Sequence, residues 1–158
     1  GGGKVGQVLQ AYLITTVSIA VLATWADIAG LTIDITPVAT SSKILVSGYI
    51  YGGMVGSSST MTFRIMRDTT AIGVGDTSGT KPVGYGGHKN IDARSLFCDK
   101  VEFLDSPSTT SATTYKIQNN IEYSGSTANY INQTGNDANV IGYDPRVCSA
   151  ITVTEILA

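Results

Sequence analysis

The segment KILVSGYIY at 43–51 is apolar on both sides of an extended strand: Ile44, Val46 and Ile50 point one way, and Leu45, Tyr49 and Tyr51 point the other. A strand of this kind needs cover front and back. A sandwich of two sheets has one interior, so the second side must be buried by something else, most simply another copy of the chain. The stretch VGQVLQAYLI at 5–14 has the same character, with Val5, Leu9, Ala11 and Leu13 opposed by Val8, Tyr12 and Ile14. Val8, Tyr12, Leu45, Tyr49 and Tyr51 are therefore the residues expected at an interface between subunits.

Other segments alternate with one wet face. LTIDIT at 31–36 sets Leu31, Ile33 and Ile35 against Thr32, Asp34 and Thr36, while in 115–123 Tyr115, Ile117, Ile121 and Tyr123 oppose Lys116, Gln118, Asn120 and Glu122. Further strands are predicted at 61–68, 96–104, 128–132 and 149–156, with a shorter one near 20–24. Turn signals such as TPVATSS, YGGMVGSSS and DSPSTTSAT separate them. The β-branched content of 13–29 argues for strand and loop over helix. The fold class that follows is all-β, a jelly-roll sandwich of about eight to ten antiparallel strands. Residues 1–4 read as a glycine-rich linker or tail, and 5–158 as a single domain. Loop 73–90 is the longest region without a clear strand.

Charge is scarce: 14% of residues are charged and the formal net charge is −2, against ~25% charged in ordinary soluble domains. Lys and Arg are scattered, so nucleic acid is not an expected partner. The most apolar stretch, 13–31, is interrupted by Thr15, Thr16, Ser18, Thr24 and Asp27 and does not read as a membrane span. Cys98 and Cys148 form no metal-ligand pattern, and two buried free thiols are favoured over a disulfide.

No catalytic set stands out, no cofactor is implied, and the reading is non-enzymatic. Asp68, Asp76, Asp92, Asp99, Asp105 and Glu102 could supply paired carboxylates for glycan hydrolysis, but most sit where Asp favours turns. The serines lack a G-x-S-x-G elbow, and GVGDTSGTK at 73–81 lacks the spacing of a phosphate loop. TGNDAN at 134–139 offers oxygens to calcium without the acidic spacing of a known site. Asn132 opens the glycosylation sequon N-Q-T, to which no weight is given. Aromatic and polar residues near loops are the candidates for receptor or partner contact: Tyr85, His88 with Lys89 and Asn90, Tyr130 and Tyr143.

Five stretches, LTIDITPVATSSKILV (31–46), FRIMRDTTAIGVGD (63–76), LDSPSTTSATTYKIQ (104–118), YINQTG (130–135) and SAITVTEI (149–156), together resemble the small jelly-roll domains that end fibre and other virion proteins of tailed bacteriophages. Such domains are similar in fold to the trimeric jelly rolls of the tumour necrosis factor and complement type. The resemblance implies a homotrimer on the external surface of a virion, a fibre or spike domain that binds a host-surface glycan or protein. The alternative is a capsid decoration protein that binds other virion subunits, and a polysaccharide-degrading enzyme ranks third. The stretch AYLITTVSIAVLATWA at 11–26 is more apolar than this pattern and points to an added contact.

Overall fold

A computed structural model of the protein describes residues 3–20, 23–56, 59–121, 128–139 and 142–158. Among them are eleven strands and no helix. In chain order these are β1 (Lys4–Leu13), β2 (Val17–Ile19), β3 (Ala26–Ile35), β4 (Lys43–Met54), β5 (Thr60–Arg67), β6 (Thr70–Ile72), β7 (Gly86–Lys89), β8 (Phe97–Asp105), β9 (Thr113–Ile121), β10 (Asn129–Ile131) and β11 (Ser149–Leu157). The count exceeds the expected eight to ten because β2, β6 and β10 are three-residue rungs and β7 has four. β7 lies inside the loop 73–90 expected to lack a strand. The short strand expected near 20–24 forms earlier, at β2. The linker reading of 1–4 also gives way at Lys4, which pairs with Leu157. Glu122 and Tyr123 lie outside the described residues.

Every pairing is antiparallel. The first sheet runs β1-β11-β4, with β8 on the far edge of β4, and β10 then β2 extend it past β11; the second runs β3-β9-β5, with β6 and β7 sharing the remaining edge of β5. Setting the short rungs β2 and β10 aside and treating β6 with β7 as one position leaves an eight-strand order. Its first, eighth, third and sixth strands form one sheet and its second, seventh, fourth and fifth form the other. That is the double Greek key of a jelly roll.

Alternation builds the interior. Leu31, Ile33 and Ile35 from β3, Ile44, Val46 and Ile50 from β4, and Phe63, Tyr115, Ile117 and Ile151 meet between the sheets. Two bulges break the count of residues per rung. In β3 the register shifts between Asp27 and Thr32, where Gly30 takes φ +91°, a conformation suited to glycine. In β1 it shifts between Val5 and Val8. Val5 then faces Ile156 and Val8 faces Thr154, so both lie on the outer side, and the expected grouping of Val5 with Leu9 is corrected. Asn120, expected in solvent, is buried.

One charge is enclosed at the end of the sandwich. Glu155 on β11 is fully buried, and its carboxylate accepts from the Val38 N–H and the Gln7 amide, each at 2.8 Å. Burial alone would raise its pKa, but these donors favour the charged form more and hold it below the ordinary value of about 4.5. A carboxyl with a lower pKa folded than unfolded stabilises the fold above the unfolded value and loses that contribution as pH falls through the folded one. Glu155→Gln is therefore expected to be less stable than wild type at pH 7, with the gap closing below pH ~4.5. Urea midpoints from pH 7 to pH 3 check this; a gap independent of pH rejects it.

Candidate interaction face

The outward residues of β4 and its neighbours form ordered rows across the first sheet. Leu45 stands between Thr154 of β11 and Leu104 of β8, and Thr154 faces Val8 of β1. The next row is polar, Gln10, Thr152, Ser47 and Glu102, with Gln10 Nε2 donating to Thr152 Oγ1 at 2.9 Å. Tyr12, Ala150, Tyr49 and Lys100 follow, then Tyr51 with Cys98. All five residues expected at an interface, Val8, Tyr12, Leu45, Tyr49 and Tyr51, thus share one face of one sheet. Leu104 and Val5 join them; neither was expected there.

Exposure on this face is unusual for apolar side chains. Val5 is 63% exposed, Val8 58%, Tyr12 53% and Leu104 47%, whereas Leu45, Tyr49 and Tyr51 are half-buried. The rings of Tyr49 and Tyr51 meet edge to face, 6.1 Å between centroids. Tyr12 Oη lies 2.7 Å from Cys148 Sγ, and hydrogen bonds with Cys148 and Tyr49 push its pKa up to about 12. A hydrogen bond with Cys98 likewise raises that of Tyr51. These hydroxyls stay neutral at physiological pH.

The outer side of the second sheet is the opposite in kind. Asp27 accepts from Lys116 Nζ at 2.7 Å and from Gln118 at 2.6 Å, Arg64 donates to Gln118 and lies over the Trp25 ring, and Thr114 donates to Asp34. That surface is finished for water.

Both cysteines are free, but neither is buried as expected: Cys98 is exposed and Cys148 partly so. Cys98 lies on β8 and Cys148 just before β11, with β4 between those two strands, which places them about two strand spacings, ~9.5 Å, apart. A disulfide needs Cα atoms within ~7 Å.

The loop candidates divide. Tyr85 is not free for a ligand: its hydroxyl donates to the Glu102 carbonyl at 2.6 Å and accepts from the Glu102 N–H at 3.0 Å. His88 is no exposed loop residue. It sits on β7 opposite Met61, its Nδ1 is 2.8 Å from Asp99 Oδ2, and its ring centroid is 3.7 Å from that of Phe97. Asn90 is buried and donates to the carbonyls of Met54 and Gly56. Tyr130 belongs to β10, opposite Gly53, and joins Tyr51 on the outer face of the first sheet. Lys89 and Tyr143 remain exposed, with the Arg94 guanidinium 4.7 Å from the Tyr143 ring centroid.

Carboxylates are occupied locally. Asp68, Asp76 and Asp92 accept from backbone N–H groups of Thr114, Thr77 and Arg94, and Asp105 is held by Arg67 and Tyr115. Near TGNDAN, Asp144 accepts from Thr134 Oγ1, the Ala138 N–H and Asn136, hydrogen bonds led by Thr134 that lower its pKa, while Asp137 pairs with Arg146. Both carboxylates thus have protein donors. Among the described residues no group of three or more His, Cys, Asp or Glu is placed to hold a metal.

No protein-family model matches the sequence, and no curated protein matches it. Among solved structures, a chain from the structure of infectious bursal disease virus Gt strain superposes on 99% of this chain with a TM-score of 0.51 at 9% identity. A chain of the T13 viral particle of the same virus superposes on 96%, with a TM-score of 0.51 at 10% identity. This chain spans 43% and 39% of their lengths. At such identities the likeness is one of fold: this all-β sandwich has the architecture of a domain within those virus-particle chains.

Proposed function

We propose that the protein is a non-enzymatic structural component on the outside of a virion, a homotrimer whose first-sheet outer face packs against its own copies. The observation that carries this reading is the contrast between the two outer faces of one sandwich, one crossed by polar pairs and the other by Val5, Val8, Leu45, Leu104 and four tyrosines. Burying such a face contributes roughly 25 cal/mol per Å² of apolar surface. The fold shared with chains of a virus particle supports the virion setting, and the resemblance to bacteriophage fibre domains supplies the number three. In this reading Tyr143, Arg94 and Lys89 are left to touch a host-surface glycan or protein. Three copies turn weak contacts into strong attachment through effective concentration.

Capsid decoration is the second reading, favoured by Ile14, which is 71% exposed within the unusually apolar stretch 11–26. A contact with another virion subunit would cover it.

Light scattering of the purified protein is expected to give a mass that is a whole multiple of three 16.5 kDa chains. Leu45→Lys puts a charge at the centre of the face and is expected to leave species of one or two chains with the melting temperature of the fold retained. A wild-type protein that stays monomeric rejects the trimer.

A further inference from the structure

The long strands at the edges of the two sheets are not equally protected. A sheet edge presents unpaired N–H and C=O groups that template another strand unless charge, a bulge or a covering group prevents it. β8 is blocked at one rung, where the Tyr85 hydroxyl takes both the N–H and the C=O of Glu102, and it carries Asp99, Lys100 and Asp105 besides. β3 is broken by the bulge at Gly30 and carries Asp27 and Asp34. On the far side of β5 the edge is divided between the short β6 and β7.

β1 is different. It is ten residues long, pairs with β11 alone among the described strands, and has one charged residue, Lys4, at its end. From Val8 to Leu13 its register against β11 is uninterrupted, so alternate residues direct both backbone groups outward. No backbone hydrogen bond outside its own ladder reaches these residues from another described strand or turn, and only the Leu13 carbonyl is taken, by the Asn132 side chain.

We infer that the free edge of β1 is a second assembly surface, and that its occupant is β1 of another copy, paired antiparallel about a two-fold axis. An antiparallel pair of identical strands is self-complementary by symmetry, since each outward N–H meets the C=O of its mate. Centring the pair on 8–13 puts no charge opposite a like charge, because the sole lysine lies outside it, and the net charge of −2 adds little repulsion. This edge contact rests on different groups from the face contact proposed above. A three-fold face contact closes at three chains; a two-fold edge contact links closed trimers to one another, as a particle coat requires.

The test uses the whole chain. Gln10→Pro and Ala11→Pro each remove one N–H, and because neighbours on a strand point in opposite directions, one loses a bond to β11 and the other an outward donor. The variant that keeps the wild-type melting temperature is expected to stop at three chains by light scattering where wild type continues beyond three, and Leu45→Lys is expected to stop at two. Should that Pro variant keep the wild-type mass, the edge pairing is wrong, whereas three-chain failure in Leu45→Lys alone speaks to the face. A second measurement needs no variant. In wild-type protein, alternate β1 amides are expected to exchange hydrogen at least about ten-fold more slowly when associated than at high dilution. Equal rates in both conditions overturn the proposal.

Discussion

Asn132→Ala is expected to destabilise the fold by roughly 3–5 kcal/mol, because it leaves several buried polar groups without partners. Asn132 is fully buried at φ 65°, just after β10. Its amide nitrogen donates to the carbonyls of Leu13 at 2.8 Å and Thr15 at 2.9 Å, and its amide oxygen accepts from Ser149 Oγ at 2.6 Å. One side chain therefore ties the end of β1 to the start of β11, while its backbone N–H reaches the Tyr51 carbonyl of β4. Alanine removes the three side-chain bonds and also holds a left-handed conformation that a Cβ disfavours. Asn132→Gly keeps the conformation and loses only the bonds, so it should be milder by about 1 kcal/mol. Urea unfolding of the two variants separates the contributions; an Ala variant within about 0.5 kcal/mol of wild type, the range of ordinary surface changes, would remove Asn132 from this role.

Asn132 also shows where sequence reading stops. As the first letter of N-Q-T it looks like a surface acceptor, yet its side chain faces the interior, and only the tertiary fold reveals the carbonyls it serves. Period-two alternation succeeds where strands are long and regular: in β4 it separates Ile44, Val46 and Ile50 from Leu45, Tyr49 and Tyr51 as the structure does. It fails at the β1 bulge, because periodicity counts residues and a bulge changes residues per rung. It cannot place Tyr130 or His88, since β10 and β7 are too short to show a period. Leu104 escapes for a related reason. Its outward companions on β8, Cys98, Lys100 and Glu102, give that side a polar look until β4 is laid alongside.

The same logic explains why the shared outward face of Val8, Tyr12, Leu45, Tyr49 and Tyr51 was legible and the surroundings of the loop candidates were not. An exposed apolar face is a property of one strand's pattern repeated by its neighbours, and four of the strands concerned carry at least nine residues each. A loop contact depends on what the loop meets. Tyr85 and Asn90 carry side chains suited to a ligand, but β8 and the Met54 carbonyl already use them.

Asp105→Ala is expected to cost about as much as the loss of Asn132, roughly 3–5 kcal/mol, because it strands a largely covered guanidinium and a buried hydroxyl together. Asp105 ends β8 in the first sheet; Arg67 and Tyr115 belong to β5 and β9 in the second. The Arg67 Nη1 lies 2.9 and 3.1 Å from the two carboxylate oxygens, and the Tyr115 hydroxyl donates at 2.6 Å. Tyr115 is fully buried, and burial together with this bond drives its pKa far above the usual tyrosine range, so the hydroxyl remains a donor. Removing the acceptor leaves both donors unpaired where water compensates poorly. Tyr115→Phe removes one donor and is expected to cost only about 1–2 kcal/mol. The double variant should be less destabilised than the two singles summed, by about 1 kcal/mol, since the phenyl ring has no hydroxyl left to strand. Strict additivity in urea unfolding would mean that the two residues act separately. Arg67 would then hold Asp105 across the two sheets without help from Tyr115.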